Sequence, residues 1–188
     1  KTDQNKNETI GDFSSHYSVS FSRSILTVDE AEEIKENRPV SICSIAQKHN
    51  LKKILLIDSS FSGFQEAYRN LTKIGVQLIY GLKFHICDDV NDKSDKGAVN
   101  DNKIYLIAKN KEGYKELIKI YSEAATNGFY YYPRLDWVQL NKITQNIAVW
   151  IPFYDGFVHC NLLSYGVSII PRFDKIKPKL CIENHNLP

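Results

Sequence analysis

Short unbroken apolar runs alternate along this chain with stretches in which apolar residues recur every three or four positions. That is the pattern of buried strands alternating with amphipathic helices. Lys53-Ile54-Leu55-Leu56-Ile57-Asp58 is such a run. It predicts a buried parallel strand with Asp58 at its C-terminal end. Further strands are predicted over 76–86, 104–108 and 147–153. Between them, 62–74 predicts a helix stopped by Gly75. Asn110 is expected to cap a helix with Tyr114, Leu117, Ile118, Tyr121 and Ala125 on one face and Gly128 at its end. Upstream, Thr27-Val28-Asp29-Glu30 has the spacing of a capping box and predicts a short charged helix reaching Asn37. Pro39 suits the first turn of a second helix, with Ile42, Ile45 and Ala46 as its stripe and Asn50 at its end. The stretch 88–102 is almost free of apolar residues and reads as an inserted loop. Strands alternating with helices predict a mostly parallel sheet.

Composition narrows the classes. The 188 residues suit one domain, since domains run to about 100–200 residues. An apolar content of 43% supplies a sizeable core. The expected organisation is a disordered tail over 1–9, a domain over 10–170 and a C-terminal segment or linker over 171–188. The net charge of +2 is too small to argue for nucleic acid. The most basic stretch, Arg172 to Lys179, reads as a solvated, proline-interrupted tail. No run approaches the roughly 18 apolar residues of a membrane span, and the polar start is not a signal peptide. A cytoplasmic protein with no membrane partner is expected. Cys43, Cys87, Cys160 and Cys181 form no CxxC and read as reduced thiols without zinc. Methionine is absent even at position 1, so a fragment, or a chain lacking some residues, is expected. The abundance of Lys, Asn and Ile suits a phage or an AT-rich bacterium.

Several residues invite chemistry. His85 and Cys87 share one side of a strand with Asp88 beside them, but so few ligands are a slight basis for a metal site. His159 and Cys160 are adjacent on the chain, so their side chains point apart, and no orienting acid is placed by spacing. Phe129-Tyr130-Tyr131-Tyr132-Pro133 offers a platform for stacking single-stranded bases, although packing is the favoured reading. GxSxG and glycine-rich phosphate loops are both absent from the sequence.

Two segments carry a family resemblance. "IYLIAKNKEGYKELIKIYSEAATNGFYYYPRLDWVQL", over 104–140, resembles the polymerase-and-histidinol-phosphatase (PHP) domain of bacterial and phage DNA polymerase III alpha subunits. There a strand is followed by AKNxEGY, a helix and GFYYKPRIDW. "ILLIDSSFSGFQEAYRNLTKIGVQLIYGLKFHI", over 54–86, is similar to the family segment carrying its TDH and GCE motifs. The resemblance extends over about 10–155. It implies a distorted (β/α)7-type barrel, truncated or incomplete within these residues, with metal ligands at the C-terminal ends of its strands.

The ligand positions depart from the family pattern. Aligning HxHxxYS on Tyr17-Ser18 puts its two histidines at Asp12 and Ser14, and makes His16 a spacer. TDH keeps Asp58 and replaces its histidine with Ser59; GCE keeps Gly81 and replaces its glutamate with Lys83. A multi-metal phosphoesterase centre needs imidazoles and carboxylates to hold ions that activate water, and an ammonium group repels those ions. The resemblance therefore implies a residual barrel-mouth site of Asp12, Ser14, Asp58, Ser59 and Lys83, with no catalytic residue and no cofactor. Asp12 and Asp58 are the candidates if one metal remains. Lys83 either pairs with these two acids in place of an ion or points to solvent. The implied function is a non-catalytic scaffold domain of a DNA polymerase III alpha-type replication protein. Its partners would be the rest of the polymerase or a proofreading subunit, and it would meet DNA through the parent protein. One alternative is a phosphoesterase or 3′–5′ exonuclease holding Zn, Mn or Mg with unusual ligands. Another is a free-standing interaction protein derived from the domain.

Overall fold

Two helix endings of one design feed the strands of the first half. Asn50 (φ 50°) and Gly75 (φ 72°) each follow a helix in the left-handed conformation. Asn50 N and Leu51 N donate to the oxygens of Gln47 and Ala46, at 3.1 and 2.9 Å. Gly75 N and Val76 N donate to those of Thr72 and Leu71, at 3.1 and 2.9 Å. This paired bonding closes the last helical turn and reverses the chain. Leu51 and Val76 then turn into the core, and a strand begins within two residues of each.

The structure, a computed structural model, describes residues 11–14, 26–32, 40–94, 102–154, 156–160 and 177–182. It is mixed α/β and divides into units 1–81 and 82–188. The first unit holds β1 (Gly11–Ser14), β2 (Leu26–Thr27), β3 (Val40–Ser41), α1 (Ile42–Lys48), β4 (Lys53–Asp58) and α2 (Phe64–Lys73). It ends within β5 (Gln77–Ile86), which runs on into the second unit. β4 coincides with its predicted bounds, and all of it after Lys53 is buried, so it has no polar face to alternate. β1 lies parallel to β4 on one side, with Asp12 opposite Leu55 and Ser14 opposite Ile57. β5 neighbours β4 on the other side, and Gln77 N donates to Lys52 O at 2.9 Å, setting the two strand starts together.

The expected helix after Thr27 does not form over 28–32; residues 33–39 lie outside the described set. Thr27 instead belongs to β2 and pairs with Ser41 of β3. A capping box needs helical amides to satisfy, and the polar groups here are bonded elsewhere. Ser41 Oγ donates to Asp29 O at 2.6 Å. Ser44 Oγ accepts from Glu32 N at 2.9 Å and donates to Glu32 O at 2.7 Å. Asn70 Nδ2 donates to the carbonyl of the buried Val28 at 2.9 Å, and Glu30 pairs with Lys73. The next helix starts later than Pro39 suggested. Its cap is Ser41, whose Oγ accepts from Cys43 N at 3.0 Å.

The second unit continues with β6 (Asn102–Ala108), α3 (Lys111–Thr126), β7 (Arg134–Leu135), α4 (Trp137–Leu140), β8 (Ile147–Pro152) and β9 (Lys179–Cys181). Its strands are ordered β5–β6–β8–β9, with β7 on β5. β7 is parallel to β5 and β9 to β8, but β8 is antiparallel to β6, with Ala108 opposite Ile147 and Tyr105 opposite Trp150. The sheet is therefore mixed here rather than uniformly parallel. α3 and the stretch after it return the chain to the end of β6 that it left. Lys109 N donates to Asn146 O at 3.0 Å, and Asn110 Nδ2 to Asn146 Oδ1 at 3.0 Å.

α3 is capped as predicted, Asn110 Oδ1 accepting from Gly113 N at 2.8 Å. Its buried row is Gly113, Leu117 and Ala124, with Tyr121 tilted against Phe84 at 6.3 Å. Ile118 is 42% exposed. The period identifies the inward side but not which of two adjoining rows, about 100° apart, is sealed. No helix among the described residues is long and apolar enough to cross a membrane.

Candidate functional site

Asp58 is the last residue of β4 and is 4% exposed. Its Oδ1 accepts from Ser59 N at 2.6 Å and from Ser59 Oγ at 3.4 Å. The carboxylate is thus engaged by the residue that stands where the resemblance has a histidine. The connection to α2 continues through Ser60 and Ser62, whose hydroxyls share a 2.8 Å hydrogen bond. Phe64 then anchors the helix between Phe61 and Tyr80, with ring centroids 5.4 and 5.3 Å away.

Asp12 stands opposite Leu55, three positions short of Asp58, or about 10 Å along the strand at ~3.3 Å per residue. Ser14 stands opposite Ile57, next to Asp58 in sequence. The side chains of Asp12 and Ser14, and the whole of His16, lie outside the described set. In the second unit, Lys83 is half-buried on the same side of β5 as His85, while Leu82, Phe84 and Ile86 are sealed on the other. The structure thus brings Asp58 and Ser59 into contact and sets Ser14 at the same strand end.

Holding several divalent ions would take several carboxylates or imidazoles converging on one point. Among the described residues no group of three or more His, Cys, Asp or Glu is so placed. Asp58 and the Ser59 hydroxyl do not make up a multi-metal donor set, because only one anion is offered. His85 stacks on Tyr132, with centroids 4.0 Å apart and ring planes 26° from parallel. Cys87 Sγ donates to Leu135 O at 3.6 Å. These two side chains are therefore packed against the polypeptide. His159 lies against Tyr154, at 5.0 Å between centroids.

The most constrained polar group of the second unit escaped the sequence reading. Arg134, in "YYYPRLDW", is 1% exposed. Its Nε donates to Gly128 O at 3.1 Å, and its Nη2 to Val90 O and Asp92 O at 3.1 and 3.0 Å. The guanidinium lies 5.3 Å from the centre of the Tyr130 ring. Lys93 Nζ donates to Asn127 O and Phe129 O at 3.2 and 2.7 Å. Three consecutive carbonyls beyond the C-terminus of α3 are thus held by two cations, which also oppose the negative end of the helix dipole. Bonds from Ser94 hold the Asp92 carboxyl below the usual carboxylate range, and Arg134 adds to the effect. The first part of the predicted 88–102 loop is therefore fastened to the protein. The aromatic run supplies the clamp's lid in Tyr130, while Tyr131, at φ 61°, is turned outward and 72% exposed. A second unrecognised feature is the capping box of α4: Asp136 Oδ1 accepts from Gln139 N at 2.9 Å, and Asp136 N donates to Gln139 Oε1 at 3.1 Å. The spacing D-x-x-Q was the available signal.

Burial pushes the Cys43 and Cys87 thiols above their ordinary range, whereas Cys160 and Cys181 are half-exposed. Raised values leave the buried thiols protonated at about pH 8, where an ordinary thiol begins to ionise. Alkylation of the folded protein by iodoacetamide at that pH, followed by mass spectrometry, should modify Cys160 and Cys181 first. Equal labelling of all four would show that the core around Cys43 and Cys87 opens readily.

The PHP domain family matches residues 35–178. A DNA polymerase III subunit alpha of Borreliella burgdorferi is 33% identical over 110 residues, covering 56% of this chain and 10% of that protein. Its counterpart in Helicobacter pylori is 30% identical over 113 residues, covering 60% of this chain and 9% of its own length. The Chlamydia pneumoniae protein is 29% identical over 104 residues, with coverages of 54% and 8%. The chain thus matches about a tenth of the length of these relatives. A solved structure described as a metal-dependent phosphoesterase of Bifidobacterium adolescentis is 14% identical, covering 64% of this chain and 36% of that one, with a TM-score of 0.30.

Proposed function

Since this chain belongs to the PHP domain family, we propose that it serves a DNA polymerase III alpha-type replication protein as a non-catalytic scaffold domain. The replicative context rests on the matching alpha subunits, each aligned over about half of this chain. The non-catalytic reading rests on the end of β4, where Asp58 is buried and bonded to Ser59. With Lys83 at a ligand position of the resemblance, an ammonium group would stand where the family has a metal-binding glutamate. The domain would then brace the remainder of a polymerase or a proofreading subunit within an incomplete (β/α)7-type barrel.

Metal analysis of the purified protein, paired with hydrolysis of bis(p-nitrophenyl) phosphate, tests this. The expected result is substoichiometric Zn, Mn and Mg and no turnover above a Asp58→Ala control. Stoichiometric metal together with phosphodiester cleavage lost in Asp58→Ala would replace the scaffold with a phosphoesterase.

A further inference from the structure

Asn127-Gly128 is the one Asn-Gly pair in the sequence. Asparagine is a thermolabile residue, and a following glycine makes it more so, because no Cβ shields the glycine nitrogen or restricts its backbone. In deamidation the Gly128 nitrogen attacks the side-chain carbonyl carbon of Asn127. The new C–N bond closes a five-membered succinimide, and ammonia leaves with the proton that the nitrogen gives up. Water then opens the ring at either carbonyl. One opening gives aspartate; the other gives isoaspartate, with a methylene added to the main chain. Packing nevertheless requires the glycine, since a Cβ at position 128 would stand 2.1 Å from Arg134 O and 3.2 Å from Ala124 O.

The same surroundings hold the pair away from reaction. Asn127 ends α3 with ψ −38°. Ring closure needs the Gly128 nitrogen to eclipse the Asn127 Cβ, and a helical ψ keeps the two well apart. Reaching that geometry means swinging a peptide that is fastened along its length. Lys93 Nζ bonds Asn127 O and Phe129 O at 3.2 and 2.7 Å, and Arg134 Nε bonds Gly128 O at 3.1 Å. The Gly128 N–H, which must lose its proton to attack, donates to Glu123 O at 3.4 Å. The Asn127 carboxamide itself is exposed and has no hydrogen bond among the described residues, so the restraint lies in the backbone. We propose that Asn127-Gly128 is a latent deamidation site, kept unreactive by the Lys93 and Arg134 clamp and released by local opening of 127–129. Reaction makes that opening one-way. A carboxylate at 127 adds charge at the negative end of the α3 dipole, and the extra methylene of isoaspartate displaces the carbonyls that the two cations hold. The inference rests on the second unit alone and not on the state of the β4 end.

The test incubates the folded protein in mildly alkaline buffer below its Tm and follows Asn127 by mass spectrometry. Trypsin releases it in the peptide 120–134, between Lys119 and Arg134, and an unincubated sample corrects for conversion during digestion. The free peptide Ala-Thr-Asn-Gly-Phe-Tyr is the reference. Wild type is expected to convert at least about tenfold more slowly than this peptide. Lys93→Ala, at an exposed side chain, should stay folded by circular dichroism and convert roughly threefold faster than wild type or more. Arg134→Lys keeps the trypsin site but loses the planar fork, and should also convert faster. Wild type reacting at the rate of the free peptide would overturn the proposal. So would Lys93→Ala and Arg134→Lys both reacting as slowly as wild type.

Discussion

Arg134→Ala is expected to destabilise the protein by about 3–5 kcal/mol. The change removes the donors of Gly128 O, Val90 O and Asp92 O and leaves the Tyr130 ring without its cation. Each buried acceptor left unsatisfied costs roughly 1–3 kcal/mol, less where water enters. For a chain of this size the loss corresponds to a fall in Tm of roughly 10 °C. Arg134→Lys should fall in between, because a lysine keeps the charge but not the planar fork that reaches both sides of the clamp. Amide hydrogen exchange adds a local readout: the backbone at 90–94 and 127–129 should exchange faster in both variants. A Tm within about 2 °C of wild type for Arg134→Ala, under 1 kcal/mol, would show that these loops hold together without the guanidinium.

Gly113→Ala should also destabilise strongly, against the helix propensity of the substitution. In an exposed helix interior the change gains about 1 kcal/mol. Here a Cβ would stand 2.3 Å from the carbonyl oxygen of Asn146, and 3.4 Å from the Cα of Ala108. Both obstacles are backbone, so relief requires α3 to move away from the β6–β8 junction. A net loss of about 2–3 kcal/mol is expected, read as a drop in Tm, with Ser122→Ala on the exposed face of the same helix close to neutral. A stabilised Gly113→Ala variant would mean that α3 is free to shift outward. The glycine lies in the "EGY" of the segment that resembles the PHP family, and the contact gives it a steric reason.

Local grammar carried much of the fold. β4, α2, β5 and α3 lie close to where periodicity and stop signals put them, because burial on two faces, a 3.6-residue stripe and a left-handed stop each act over a few adjoining residues. The same grammar misled at Thr27-Val28-Asp29-Glu30. The spacing of a capping box is satisfied there, yet Ser41, Ser44, Asn70 and Lys73 take the groups that a helix would have used. All of these residues are distant in sequence, so no window around Thr27 contains them.

The candidate site divides the same way. That Asp58 closes a buried strand and is followed by a hydroxyl in place of an imidazole follows from the order of residues. That Ser59 bonds the carboxylate is geometry. Arg134 gives the sharpest contrast: in sequence it is one charge after an aromatic run, and charged residues are ordinarily exposed. Its burial follows from carbonyls at 90, 92 and 128 that meet only when the chain is folded. By itself the sequence determined the strand–helix alternation, the positions of most elements and the family likeness, because these depend on neighbours along the chain. The tertiary structure alone decided the antiparallel return of β8 and the Arg134 clamp. Each depends on which distant groups satisfy one another's hydrogen bonds and charges.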